Sequence, residues 1–498
     1  MSDVTTRNGS TTSPPAWRSE HVGGWGMAVG GQANVARPDT RAQLEAAFAE
    51  LPAGASVALR GTGCSYGDAS MHTGRHVLDC TRLTGILAFD VEHGVVTCEP
   101  GVTIRQLWRH VIPHGWWPPV VSGTMFVTIG GATAMNIHGK NNFAVGSFGE
   151  HVLAFTLLTP TGAILSCSRE TNADVFHAAI GGFGMLGCFL DVTLKLKRVH
   201  SGRLRVTAIA TRDLEDNLWV LEEHRGSADY LVGWMDGYAR GRSLGRGLIH
   251  RADQFERGED PAGEGMLDPL RQDVPSRLFG VVPKGWVWPF AWGIVKSGAL
   301  SLLNAAKFHA GRREETRMPY LQTHGAFHFL LDYVPNWKFA FKPGGLIQFQ
   351  PFVPAREAAR VLRVLLEQCQ AERFFPYLLV LKRHRPDPFL MTHAVDGYSL
   401  AIEFAVRASR REALFAHCRR MADVVLDAGG RFYYAKDAVL AASSFPRIHG
   451  ADAVAQFRGL KARLDPHGVL QTDLARRLGV VPDDARAVDA TSAGALRI

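Results

Sequence analysis

"VTIGGATAMNIHGKNN", residues Val127–Asn142, packs a glycine pair, a run of small side chains and a His-Gly-Lys step into sixteen positions. It starts in the manner of a strand. The glycines and small residues then let the main chain approach a neighbour closely. Read alone, it is either a strand-to-helix turn with a hydrogen-bonded histidine or a place where backbone passes a ligand. Its surroundings decide between the two. It overlaps two of four glycine clusters in the first 190 residues: "RGTGCSYGD" (60–68), "SGTMFVTIGG" (122–131), "HGKNNFAVGSFG" (138–149) and "GGFGMLG" (181–187). Backbone N–H groups exposed at glycine turns bind phosphate oxygens, so several such turns in one region point to a diphosphate-bearing ligand.

The match of "GFGMLG", Gly182–Gly187, to G-x-G-x-x-G does not make a Rossmann site. That mechanism needs a strand before the glycines and a helix after them, so that the helix N-terminus meets the pyrophosphate. Here "ADVFHAAIGG" reads as a helix before the cluster, and "CFLDVTLKLKRV" as a strand after it.

The bulk composition sets limits. The chain has 498 residues, 46% hydrophobic and 20% charged, enough for two or three domains with their own cores. The net charge of +8 is spread along the chain, with "KRHR" (Lys382–Arg385) its densest run and no nucleic-acid motif, so the expected partner is a mildly anionic small molecule rather than nucleic acid. The seven cysteines are odd in number and form no C-x-x-C, which argues for free thiols in a reducing compartment and against disulfides or a metal site. The polar N-terminus lacks the apolar core of a Sec-type signal peptide, and no uninterrupted apolar stretch is long enough for a transmembrane helix. The expected location is the cytoplasm, extending to the surface of the inner membrane.

Along the chain, residues 1–20 read as a disordered tail. A capped helix is expected at 39–51, followed by short strands alternating with glycine turns, an amphipathic helix in "TIRQLWRHVIPHG" and a strand pair in "HVLAFTLLTPTGAILSCS". This is an α+β pattern, not a βαβ array. The texture changes near residue 199. Residues 251–275 read as a mobile polar loop, and the tryptophan-rich segment 277–308 as buried core. "LIQFQPFV", "YLLVLKR" and "YSLAIEFAV" read as strands of one antiparallel sheet flanked by helices. Gln348 and Gln350 alternate on the first of these, so both side chains face the same way.

The ordered set "RGTGCSYGD", "GVTIRQLW", "SGTMFVTIGGATAMNIHGKNN", "GSFGEHV" and "GGFGMLG" resembles the two-lobed PCMH-type FAD-binding domain of the vanillyl-alcohol-oxidase superfamily. With "LIQFQ", "LDAGGRFYYAKDA" and "LDPHGVLQTDLARRL" it is similar, from about Gly24 to Leu478, to the polyprenyl-phosphoryl-ribose 2′-oxidase family. The resemblance implies an FAD-binding domain at 21–198, a substrate domain at 199–425, a segment at 426–480 that returns to the FAD domain, and a tail at 481–498. FAD would be contacted by Gly61, Thr62, Gly63, Cys64, Ser65, Tyr66, Gly123, Thr124, Thr128, Gly130, Gly131, Asn136, His138, Gly139, Asn141, Gly182, Gly187 and Lys436. Cys64 stands where many members carry a flavin-bonded histidine, so the flavin is expected to be held noncovalently. Lys436 and His138 would be catalytic. Lys140, His328, Gln348, Gln350, Lys382 and Ser399 would bind substrate, with Lys382 on its phosphate. The implied reaction is oxidation of the 2′-hydroxyl of a polyprenyl-phosphoryl ribofuranose, with a separate NAD(P)H-dependent reductase completing an epimerisation. An aldonolactone or alditol oxidase is the alternative, because the relatives' pattern is broken at His328, His384, Ser399 and Ala401.

Overall fold

The computed structural model describes residues 14–274, 277–278, 282–284, 299–314 and 319–481. Three sheets carry the fold. Strands β1 (Arg18–Gly23), β2 (Gly30–Ala36), β3 (Val57–Arg60) and β4 (His76–Asp79) form a sheet ordered β1-β2-β4-β3, in which β4 runs parallel to both neighbours. Between β2 and β3, helix α1 (Arg41–Ala49) starts at Thr40, whose side chain accepts from the Gln43 N–H, and buries Leu44, Ala47 and Phe48.

A second, antiparallel sheet has the order β5-β6-β9-β7-β8, from β5 (Ile86–Asp90), β6 (Val95–Cys98), β7 (Val152–Leu158), β8 (Ile164–Ser168) and β9 (Cys188–Lys195). Helix α2 (Ile104–Val111) is held by a reciprocal Thr103–Gln106 capping box and buries Ile104, Leu107, Trp108 and Val111.

The Val127–Asn142 stretch does not begin as a strand. Residues Ile129–Ala134 form α3, capped by Thr128, whose hydroxyl accepts from the Gly131 N–H. The threonine cap outweighs the β-branched start of the stretch, and the glycines bring the helix close to its neighbours: a Cβ on Gly130 would sit 2.8 Å from Pro100. Helix α4 (Ala173–Ala179) precedes and β9 follows the "GFGMLG" cluster, as the exclusion of a Rossmann site requires.

The third sheet has nine strands. In chain order its strands are β10 (Arg203–Thr211), β11 (Tyr230–Met235), β12 (Gly247–Asp253), β13 (Tyr320–Thr323), β14 (Leu346–Phe349), β15 (Pro351–Pro354), β16 (Leu378–His384), β17 (Gly397–Ala405) and β18 (Arg431–Phe432). The order across the sheet is β13-β10-β12-β11-β16-β17-β15-β18, with β14 also paired to β17. "LIQFQPFV" is thus two strands. Pro351 has no N–H to give the ladder, yet the register to β17 continues unbroken from Gln348↔Glu403 to Phe352↔Ser399. Helices α5 (Leu214–His224), α6 (Leu300–Glu314), α7 (Ala355–Ala371) and α8 (Arg411–Asp427) flank the sheet.

Segment 251–275 carries more structure than its polar composition suggests. It begins with the end of β12 and holds helical turns at Glu264–Leu267 and Pro269–Gln272. Asp260 pairs with Arg203, and buried Gln272 donates to the carbonyls of Gly202 and Met266. Trp286, Trp288 and Trp292 of the tryptophan-rich segment lie outside the described residues. After β18 the chain returns to the first sheet: Val57 N–H donates to the Val469 carbonyl, Gln471 N–H to the Val57 carbonyl, and Arg477 bridges Asp68 and Asp437.

Candidate active site

A cavity of about 700 Å³ lies between the glycine clusters and the third sheet. Its floor is one face of that sheet, and the register explains which residues reach it. Directly opposed residues on antiparallel strands share a face. One row runs His250↔Val232, continues to Lys382 beside it, then Lys382↔Ser399↔Phe352. The next runs Leu248↔Trp234↔Val380↔Ala401, and a third Leu378↔Glu403↔Gln348. Gln350 continues the alternation from Gln348, and both line the cavity as expected.

The opposite wall is main chain. Gly61, Gly63, Gly123, Gly130, Gly131, Gly184 and Gly187 line it, together with Thr62, Cys64, Ser65, Thr124 and Thr128. Nothing larger fits at two of these positions. A Cβ on Gly61 would lie 2.2 Å from the Thr128 hydroxyl, and Gly63 has φ +70°. Arg60 lines the same wall; it donates to the Ser70 and Gly23 carbonyls and makes no ion pair among the described residues. Backbone turns with an arginine beside them suit a ligand carrying a diphosphate.

Where wall and floor meet, ionisable groups gather. The Lys436 ammonium stands 3.8 Å from the centre of the Tyr66 ring, and burial pulls its pKa down to about 7 against the opposing pull of Glu403. Burial pushes the Glu403 carboxyl up to about 7, with Lys436 opposing. The Tyr66 hydroxyl sits beside the Glu403 carboxyl; the carboxylate adds to burial in pushing the phenol up, and Tyr66 pulls the carboxyl down.

His138 is buried and held neutral, first by desolvation and then by the charge of Lys382. Lys382, itself lowered by burial to about 8, lies 3.4 Å from His138 Nδ1. The Gln350 carboxamide nitrogen stands 3.1 Å from the other ring nitrogen, Nε2, and donates to it. Behind Gln350, Ser399 bonds to His384 Nε2 at 2.7 Å. Lys140 lines the cavity, but its ammonium is already engaged by the Phe327 carbonyl and ring. His328 stacks on Trp117; both of its nitrogens lack partners among the described residues, and burial keeps it neutral.

Six of the expected site residues stand behind the lining. Asn136 bridges Asp387 and the Gly149 N–H, Asn141 donates to the Pro119 carbonyl, and Gly139 gives Asn141 room. Gly182 packs on α4, where a Cβ would meet the Ala178 carbonyl at 2.3 Å. Tyr66 supports Lys436, and Ser399 supports Gln350. Conversely, Arg60, His250, Lys307 and Glu403 line the cavity without having been expected. Arg60 directly precedes the first glycine turn, and Glu403 lies four residues beyond Ser399 on the same strand face. Both signals were present in the sequence. His250 and Lys307 carry no local signal.

Residues 33–168 match the family model for an FAD binding domain. The chain carries an FAD-binding domain. Its cofactor is FAD and it is an FAD-binding oxidoreductase. The chain is 29% identical to decaprenylphosphoryl-beta-D-ribose oxidase of Mycolicibacterium smegmatis over 477 residues, covering 94% of this chain and 99% of that protein. It is 32% identical to bovine (Bos taurus) L-gulonolactone oxidase over 149 residues, 30% of this chain and 33% of that one. It is 28% identical to cytokinin dehydrogenase 7 of Oryza sativa subsp. japonica over 213 residues, 40% of each. No helix among the described residues is long and apolar enough to cross a membrane.

Proposed function

We propose that the protein oxidises a secondary hydroxyl of a phosphorylated sugar, the 2′-hydroxyl of a polyprenyl-phosphoryl ribofuranose, to the ketone. The observation that carries this reading is the charge of the cavity. Among the described lining residues Glu403 is the single carboxylate, against Arg60, Lys307 and Lys382, while burial draws Lys140 and Lys436 toward the neutral amine. A neutral lactone or alditol gives such a site nothing to neutralise, whereas a phosphodiester does. The likeness to decaprenylphosphoryl-beta-D-ribose oxidase along 94% of the chain supports the same substrate class, while the lactone-oxidase likeness spans 30%.

In this reading, residues 21–198 and 426–480 hold the cofactor and residues 199–425 the substrate. The turns at Gly61–Ser65 and Gly123–Gly131 hold FAD, which supplies the hydride acceptor. Lys436 takes the hydroxyl proton as a buried amine, and its ammonium form then offsets negative charge at the flavin. Neutral His138 and Gln350 orient the sugar, with Lys382 on the phosphate. Leu302 and Leu303 are exposed on α6, whose Leu300 and Lys307 line the cavity, which favours a lipid chain leaving on that side, toward a membrane surface. An NAD(P)H-dependent reductase would return the ketone to the epimeric alcohol.

Anaerobic mixing with polyprenyl-phosphoryl ribose tests this. Bleaching of the visible flavin band is expected. A flavin that stays oxidised with that lipid but bleaches with a free aldonolactone or alditol would replace the substrate with the alternative and refute the phosphate assignment.

A further inference from the structure

Lys436, Tyr66 and Glu403 form a closed group at the junction of wall and floor. The Lys436 ammonium rests on the Tyr66 ring and makes no ion pair among the described residues. Glu403 is 1% exposed, and neither carboxyl oxygen has a hydrogen-bond partner among those residues; the Tyr66 hydroxyl, on a side chain equally buried, has none either. All three are fixed by their backbones. Tyr66 N–H donates to the Ala435 carbonyl at 2.8 Å, Tyr377 N–H to the Glu403 carbonyl at 2.9 Å, and Glu403 sits in register between Leu378 and Gln348.

A buried carboxylate without donors is costly. Glu403 therefore exists as the neutral acid, or as a carboxylate only while Lys436 is an ammonium. The other ionisable groups acting on the pair are Cys64 in the first glycine turn and Lys382 on β16, and Lys436 in turn acts on His138. None of these is an acid charged at neutral pH, so Glu403 is the anion available to Lys436.

We infer that Glu403 is a positioning residue for the oxidation: acting across Tyr66, it sets how strongly Lys436 holds a proton and does not itself touch the substrate. This rests on Lys436 as the proton acceptor proposed above. The hydroxyl proton passes to the Lys436 amine as the carbon–oxygen double bond forms, and FAD, when bound, would supply the acceptor for the hydride that the carbon gives up. The Glu403 carboxylate raises the proton affinity of the lysine and so stabilises the ammonium that results.

The first readout needs no substrate. The visible band of the bound flavin, titrated with pH, is expected to show an inflection near pH 7 from the Lys436–Glu403 pair, moved upward in Lys436→Met, where the lone carboxyl has lost its ammonium. In Glu403→Gln the lysine loses its anion, and the inflection falls by roughly one pH unit. Glu403→Asp, which withdraws the carboxyl by one methylene, moves it the same way by less and decides the matter should the glutamine variant not hold flavin. The acid limb of substrate-driven flavin reduction moves in parallel. An inflection that stays put in both variants overturns the proposal. So does loss of reduction at every pH in a Glu403→Gln enzyme that keeps its flavin, because Glu403 would then be the base itself. If the sugar assignment is wrong, the titration still reports on Glu403 while the sugar alone fails to bleach the flavin.

Discussion

Gly61 and Gly63 bring main chain to the cavity from a loop, and Gly130 and Gly131 from the first turn of α3, whereas Lys382, Gln350 and Glu403 reach the same cavity as side chains projecting from a sheet. On the first wall, the identity of a residue matters through what it leaves out. On the second, it matters through charge and hydrogen bonding, and the backbone tolerates exchange. One wall is sensitive to volume and the other to chemistry.

The largest effect should come from adding volume where the walls join. A Cβ on Gly67 would lie 1.8 Å from the Asp437 carbonyl oxygen, next to Lys436. Main chain on both sides cannot give way as a side chain tip does. Gly67→Ala should cost about 1–3 kcal/mol or more of stability and lower flavin occupancy. Thermal unfolding and the flavin-to-protein absorbance ratio measure both, and a fully loaded, wild-type-stable variant would break the contrast. A smaller and opposite pattern is expected on the floor. Lys382→Met keeps most of the volume and removes the charge. Flavin content should be unchanged, while KM for a phosphorylated sugar rises roughly ten- to hundred-fold, the worth of a charged hydrogen bond. An unchanged KM would remove Lys382 from phosphate binding.

The same contrast explains what was legible in the sequence. The glycine turns were readable because each is a local object: a motif of a few residues fixes its own backbone, and Gly61, Gly63, Gly130 and Gly131 all reach the lining. The floor depends on pairing between distant segments. His250 stands in one row with Lys382 because β12, β11 and β16 are in register, and no window around residue 250 contains that fact. Glu403 shares a strand face with Ser399 by simple alternation, but only the pairing Leu378↔Glu403↔Gln348 brings that face to the cavity. Asn136, Gly139 and Asn141 show the converse. They belong to the right motif but shape the turn from behind. The strand-like start at Val127 was misread because a single Thr128 cap redirected a β-branched run into a helix.

Lys436 is the residue where the two walls meet, and Lys436→Ala is the most direct test of the account. The variant should retain one flavin per chain, because the glycine turns that hold it are untouched. Substrate-driven bleaching of that flavin should slow by roughly 10²–10⁴-fold, the usual contribution of a positioned proton acceptor. Bleaching at the wild-type rate in a fully loaded Lys436→Ala enzyme would contradict the account.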